Sequence, residues 1–171
     1  MFKVLFICHG NICRSPMAEY LLKDYIVRLG LADDFIIASA ATSQEEIGNG
    51  VYPDVKKLLS RLGINCSDKK ARQVTANDIV EFDYIIAMEQ FNLDRLYALH
   101  PKIDKSKVYL LKDFSKEPGD IADPWYTRDF VTAYKEIASC LVGLIENLNQ
   151  DSLLTLNEKQ LKALKRIKDE I

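Results

Sequence analysis

The chain has 171 residues, of which 48% are apolar and 28% charged, enough material for one ordinary globular domain with a sizeable core. Twenty-three basic residues against 25 acidic ones leave a net charge of -2, which argues against a nucleic-acid or anionic-membrane binder acting through bulk charge. The apolar run 4–8 is too short to span a bilayer, and no basic start or small-residue cleavage site marks a signal peptide. Four cysteines, at 8, 13, 66 and 140, have neither zinc-site spacing nor the density of a disulfide scaffold. A cytoplasmic, reducing location is the expectation, with export lacking a visible signal left open.

Residues 2–7 are apolar and β-branched apart from Lys3, the pattern of a strand buried on both faces. Pro16 suits the first position of a helix that runs over 17–29 and stops at Gly30. Residues 35–38 predict a second strand, 39–50 a polar loop, and 52–62 a helix closed by Gly63. A strand over 84–88, a helix over 92–99 ended by Pro101, and a strand over 108–111 follow. Residues 112–126 hold two prolines and a glycine and predict a loop. A long helix over about 128–148 comes next. In the tail, Thr155-Leu156-Asn157-Glu158 fits a capping box. Leu161, Leu164, Ile167 and Ile171 then recur at helical spacing, with Lys159, Lys162, Lys165, Arg166 and Lys168 mostly on the other face. The alternation of strands and helices predicts an α/β fold. Its expected form is a small doubly wound four-stranded parallel sheet with helices on both faces, plus an extra C-terminal helix. The domain covers 1–150 and the amphipathic extension 151–171. That extension packs on the domain, self-associates, docks a partner or touches a membrane surface weakly; the pattern alone does not choose.

Ligands of such sheets bind beyond the carboxyl ends of the strands, which directs attention to Cys8-His9-Gly10-Asn11-Ile12-Cys13-Arg14-Ser15. Gly10 and Asn11 tolerate positive φ, so the backbone can curl and aim successive N–H groups inward as an anion nest. The following helix adds the positive end of its dipole. Arg14 supplies a planar fork that matches two phosphoryl oxygens. Cys8 faces this cationic cradle, and such surroundings favour the thiolate, the nucleophilic form. Ser15 caps the helix, donates to the thiolate, or does both. Taken singly, Cys8 reads as a buried hydrophobe and Arg14 as half of a surface ion pair. The ordered run of strand, nest, arginine, hydroxyl and helix start favours nucleophilic attack on phosphorus instead. Such attack expels a poor leaving group, so a general acid is required. Asp123, followed by Pro124, Trp125 and Tyr126, is the best candidate. A lone Asp-Pro is usually a turn, but here two aromatics stand ready to flank a phenyl ring.

The run from Cys8 to Glu19 resembles the signature of the low-molecular-weight protein tyrosine phosphatases. Asp123-Pro124-Trp125-Tyr126 resembles their acid loop, and Ser39-Ala40-Ala41-Thr42-Ser43, Ala71-Arg72-Gln73 and Phe82-Asp83-Tyr84-Ile85 resemble further family blocks, in order. The likeness covers about 1–149. It implies a protein-tyrosine phosphatase with Cys8 as nucleophile, Arg14 as phosphate clamp and Asp123 as acid and then base. It further implies that Asn11 and Ser39 support the loop and that Ser15 eases thiolate departure. The implied substrate-binding residues are His9, Gly10, Asn11, Ile12, Cys13, Ser15, Glu45, Trp125 and Tyr126. A four-stranded parallel sheet, the absence of metal and cofactor, a phosphotyrosine-containing protein as partner and a protective Cys8–Cys13 disulfide are implied as well. Cys13 otherwise serves as a small buried support of the loop.

Three departures bear on specificity. His9 replaces the usual leucine, and it either responds to protons beside the thiolate or simply faces solvent. Glu45 replaces an aromatic and makes the rim more acidic. Lys69 replaces a histidine, with an expected Lys69–Glu89 ion pair. Related arginine phosphatases carry threonine where this chain has Ile12, whose apolar surface suits a phenyl ring. Arsenate reductases of this fold need a further cysteine pair in mid-chain, where none exists between Cys66 and Cys140. Those two cysteines are expected to be packing residues, and His100 a helix-end residue. The alternative to an enzyme is a catalytically silent phospho-binding or Cys8–Cys13 redox-sensing protein.

Overall fold

The computed structural model describes residues 1–171. Strands β1 (Phe2–Cys8), β2 (Phe35–Ala41), β3 (Tyr84–Ala87) and β4 (Val108–Leu110) form one parallel sheet in the order β2-β1-β3-β4. The helices are α1 (Arg14–Arg28), α2 (Pro53–Arg61), α3 (Ala76–Glu81), α4 (Gln90–Leu99), α5 (Pro124–Thr127), α6 (Phe130–Gln150) and α7 (Glu158–Asp169). This is the doubly wound α/β architecture expected. Alternation along β1 explains its unbroken apolar run. Val4, Phe6 and Cys8 join the larger core layer with α1, α2, α6 and α7, while Leu5 and Ile7 join a smaller layer with α4. Because β1 pairs with both β2 and β3, the winding reverses between β1 and β3, and a crevice opens at their carboxyl ends. Cys8 closes β1 there, and Glu89 lies just past the end of β3.

Several boundaries differ from expectation for local reasons. Helix α1 begins at Arg14, so Pro16 occupies its first turn, where a missing N–H costs nothing. Strand β2 extends to Ala41 because Cys8 pairs with it. The unexpected α3 is opened by a reciprocal cap: Thr75 Oγ1 accepts from the Asp78 amide at 3.1 Å, and Asp78 Oδ2 accepts from the Thr75 amide at 2.8 Å. The expected loop over 112–126 contains most of a 3-10 turn, Leu111–Phe114, and the start of α5, capped by Asp123. Helix α6 starts later than expected because Arg128 has φ +62°, a left-handed conformation that no α-helix contains, and Asp129 caps instead. The tail helix is capped by Asn157 with Gln160, not by Thr155.

Helix α7 lies against the domain. Leu164 and Ile167 are buried in the larger core layer. Gln160 Nε2 donates to the Leu29 carbonyl at 3.0 Å, and Arg28 grips Glu170 through bonds of 2.9 and 2.6 Å. Cys66 and Cys140 are buried, and burial pushes the Cys140 thiol up to about 11. His100 terminates α4.

Gly143 leaves no room for a side chain where α6 meets the 3-10 turn. A Cβ there would lie 1.9 Å from the Phe114 carbonyl oxygen, so α6 and the 3-10 turn meet backbone to backbone. Gly143→Ala must push that turn away, at an expected cost of about 1–3 kcal/mol or more. At roughly 2–4 °C per kcal/mol for a chain of this size, thermal unfolding of the variant should show a clear drop in Tm. An unchanged Tm would mean that the turn yields freely.

Candidate active site

The loop between β1 and α1 is pinned at both ends. The Thr42 and Ser43 amides donate to the Cys8 and His9 carbonyls at 3.0 and 3.1 Å, and the Tyr52 amide donates to the Ile12 carbonyl at 2.9 Å. Asn11 has φ +60°, the left-handed conformation that lets the loop curl. Gly10 does not, contrary to expectation; a Cβ there would lie 3.2 Å from Glu46 Cγ, a tight contact with that side chain. The amides of Gly10, Ile12 and Cys13 donate to no protein acceptor, which leaves them available to an oxyanion near the start of α1.

Hydrogen-bond accounting around Cys8 assigns a direction to each bond. Asn11 Oδ1 accepts from the Arg72 amide at 3.2 Å, so its Nδ2 must be the donor to Ser15 Oγ and Ser39 Oγ, each at 2.8 Å. Ser15 Oγ accepts there and is left to donate to Cys8 Sγ, 2.9 Å away. The Asn11 amide donates to the same sulfur at 3.3 Å. Ser39 passes its own proton to a short bond with Glu19, which Lys23 and Lys69 hold at 2.8 and 3.4 Å. The sulfur thus accepts two hydrogen bonds, one from a side chain and one from the backbone.

Arg14 is 1% exposed. Its Nη1 donates to the Ile121 carbonyl at 2.9 Å and lies 3.2 Å from Glu89 Oε2, while Nη2 lies 3.2 Å from Asp123 Oδ2. Burial disfavours the charge, but Cys8, Glu89 and Asp123 outweigh it and hold the guanidinium above the ordinary arginine pKa. The Ile121 amide donates to the Met88 carbonyl at 2.8 Å, which ties the segment before Asp123 to the residue that follows β3. Asp123 Oδ1 accepts from the Trp125 amide at 3.0 Å. Cys13 is buried, and burial followed by the charge of Cys8 raises its pKa, so it stays a thiol.

The crevice is lined by Cys8, the loop 9–14, Glu45, Asp123, Trp125 and Tyr126, together with Glu46. Every expected site residue except Ser15 and the supporting Ser39 lines it; Ser15 lies behind Cys8, with Oγ 2.9 Å from its sulfur, and Ser39 lies behind through Asn11. His9 is half-buried, with Nε2 3.0 Å from Glu45 Oε2. The expected Lys69–Glu89 pair is not formed. Lys69 is buried against Glu19 and donates to the Ser39 carbonyl at 2.9 Å, whereas Glu89 belongs to Arg14. Burial lowers the Lys69 pKa, and Glu19 opposes that shift. Glu89, Glu46, Glu19, Arg72 and Tyr52 were not singled out as site partners from sequence. Only Glu19 left a signal, since it follows Ser15 by one helical turn on the buried face of α1. Tyr52 packs edge-on against Trp125 at 5.3 Å and stacks on Phe130 at 5.6 Å.

The crevice, about 130 Å³ in volume, lies at the switch point of a doubly wound sheet. The family model "Low molecular weight phosphotyrosine protein phosphatase" matches residues 3–154, ending before α7. The low molecular weight protein-tyrosine-phosphatase YfkJ of Bacillus subtilis is 34% identical over 90% of this chain and 100% of its own. Its crystal structure superposes with a TM-score of 0.83 over 88% of this chain and 96% of that one. The low molecular weight phosphotyrosine protein phosphatase 1 of Drosophila melanogaster is 36% identical over 86% of this chain and 98% of its own. The crystal structure of DARP, a Drosophila arginine phosphatase, has a TM-score of 0.77 and 31% identity over 85% of this chain and 97% of that one. The chain belongs to the low molecular weight phosphotyrosine protein phosphatase family and is a protein-tyrosine phosphatase. No helix is long and apolar enough to cross a membrane.

Proposed function

We propose that the chain hydrolyses phosphotyrosine monoesters of proteins through a phosphocysteine on Cys8. The Cys8 thiolate attacks phosphorus, the P–O bond to the phenol breaks, and Asp123 delivers its proton to the departing oxygen. Asp123 then takes a proton from water, whose oxygen attacks phosphorus and expels the thiolate. Arg14 and the loop amides hold the equatorial oxygens throughout. Asn11 and Ser39 keep the loop curled, and the Ser15 hydroxyl steadies the departing thiolate. Trp125, Tyr126 and Ile12 offer apolar surface to the ring, with His9, Gly10, Glu45 and Cys13 completing the walls. Ile12 favours a phenyl group over a guanidinium, whose N–H donors would find no acceptor on it. The reaction employs no metal or cofactor. Cys13 in the same curled loop is the partner we assign to Cys8 for a disulfide under oxidation, and the four free cysteines suit a cytoplasmic setting. We assign residues 1–150 to the catalytic domain and 151–171 to an extension carrying α7.

The observation that carries this reading is the shared crevice of Cys8, Arg14 and Asp123, with the guanidinium 3.2 Å from the carboxylate. Asp123→Asn keeps the cap on Trp125 but cannot transfer a proton. Across a series of aryl phosphates it should lose about 10²–10⁴-fold in kcat for poor leaving groups and much less for good ones. An equal loss across the series would remove Asp123 from the acid role.

A further inference from the structure

We propose, building on the phosphatase reading of this crevice, that Glu45 and Glu46 select phosphotyrosyl peptides whose flanking residues are lysine or arginine. The charged residues lining the crevice are Arg14, Asp123, Glu45 and Glu46, and His9 lines it with them. Arg14 is buried at the floor and already faces Glu89 and Asp123. The charge presented at the mouth is therefore carboxylate. Glu45 is 70% exposed and meets only His9. Glu46 forms no ion pair; it accepts from Asn49 Nδ2 at 2.7 Å and lays its stem over Gly10. Arg128, beside the aromatic wall, is already engaged by the Tyr52 hydroxyl at 3.0 Å and by Asp54 at 3.7 Å.

A phosphotyrosyl side chain brings two negative charges past these two carboxylates, which repel it at the distances of a pocket mouth. Cations on the substrate's own flanks remove that penalty and gain two attractions. The apolar part of the platform is present as well: Trp125, Tyr126 and Phe91 are 45%, 81% and 53% exposed, and Phe91 lies 6.1 Å from the His9 ring. Exposed charge pairs are individually weak. Two of them, together with the repulsion avoided, amount to a discrimination of about three- to tenfold between oppositely charged peptides.

The test compares phosphotyrosine peptides of equal length flanked by lysines or by aspartates, using the full chain and its Glu45→Gln/Glu46→Gln variant, with an aryl phosphate as reference. The parent should favour the lysine-flanked peptide in kcat/KM by about three- to tenfold at low ionic strength. In the variant, the aspartate-flanked peptide should improve and the lysine-flanked one worsen until the ratio approaches one. About 0.5 M salt should do the same to the parent. Equal rates on both peptides in the parent, or a preference that survives the double substitution, overturn the assignment while aryl phosphate turnover continues. Loss of aryl phosphate turnover in the parent would instead overturn the phosphatase reading, and this assignment with it.

Discussion

Cys8→Ser is expected to abolish turnover while leaving the phosphate site standing. The sulfur is 2.9 Å from the Ser15 hydroxyl and 3.3 Å from the Asn11 amide, both donors, and a serine oxygen accepts the same bonds. The residue is buried at the end of β1, and the replacement is nearly isosteric, so the loop keeps its shape. What disappears is the sulfur nucleophile, and a hydroxyl in its place is a far weaker one. Steady-state hydrolysis of aryl phosphate under reducing conditions should fall by at least about 10⁴-fold, with phosphate binding by calorimetry retained. Residual activity within a hundredfold of the parent would exclude Cys8 as nucleophile. Loss of phosphate binding would show that the substitution had collapsed the loop.

Arg14→Lys should be nearly as damaging, although charge is conserved. The guanidinium serves three partners in different directions: the Ile121 carbonyl, Glu89 and Asp123. A single ammonium cannot keep those contacts and also present two parallel donors to a phosphoryl group. The expected loss is about 10²–10³-fold in kcat. A rise in KM alone would mean that Arg14 binds the ground state and the transition state equally. Since Lys preserves the positive charge between two carboxylates, unfolding measurements should find the fold intact. A large fall in Tm would assign Arg14 a structural role first.

The local chemistry of this site was legible in the chain itself because its key groups are neighbours in sequence. Strand end, curled loop, arginine and helix start occupy residues 8–15, and Asp123 sits beside its own proline and aromatics. What could not be read was who holds them. Glu89 was assigned to Lys69 because the family resemblance puts the acidic partner of the residue at 69 there. The winding of the sheet puts the end of β3 beside the end of β1, and so Glu89 beside Arg14. Lys69 falls instead behind β2, against Glu19. Gly10 was read as a conformational glycine, but its φ is not positive, and a Cβ there would press on Glu46, from a loop 36 positions away. Helix α3 announces itself only by Thr75 and Asp78, a cap with too short a periodic segment behind it to register.

The supports of Asn11 and Arg14 have a kinetic consequence. Asn11 reaches 28 and 61 positions along the chain to Ser39 and Arg72, and Arg14 reaches 75, 107 and 109 positions to Glu89, Ile121 and Asp123. Contacts of such separation close late, because the entropy of the intervening loops is lost before they form. On dilution from denaturant, helical circular dichroism should therefore recover ahead of catalysis, since only a chain whose far segments have all met can hold the arginine and the loop in place. Regained activity is in this molecule a stopwatch for the final stage of folding.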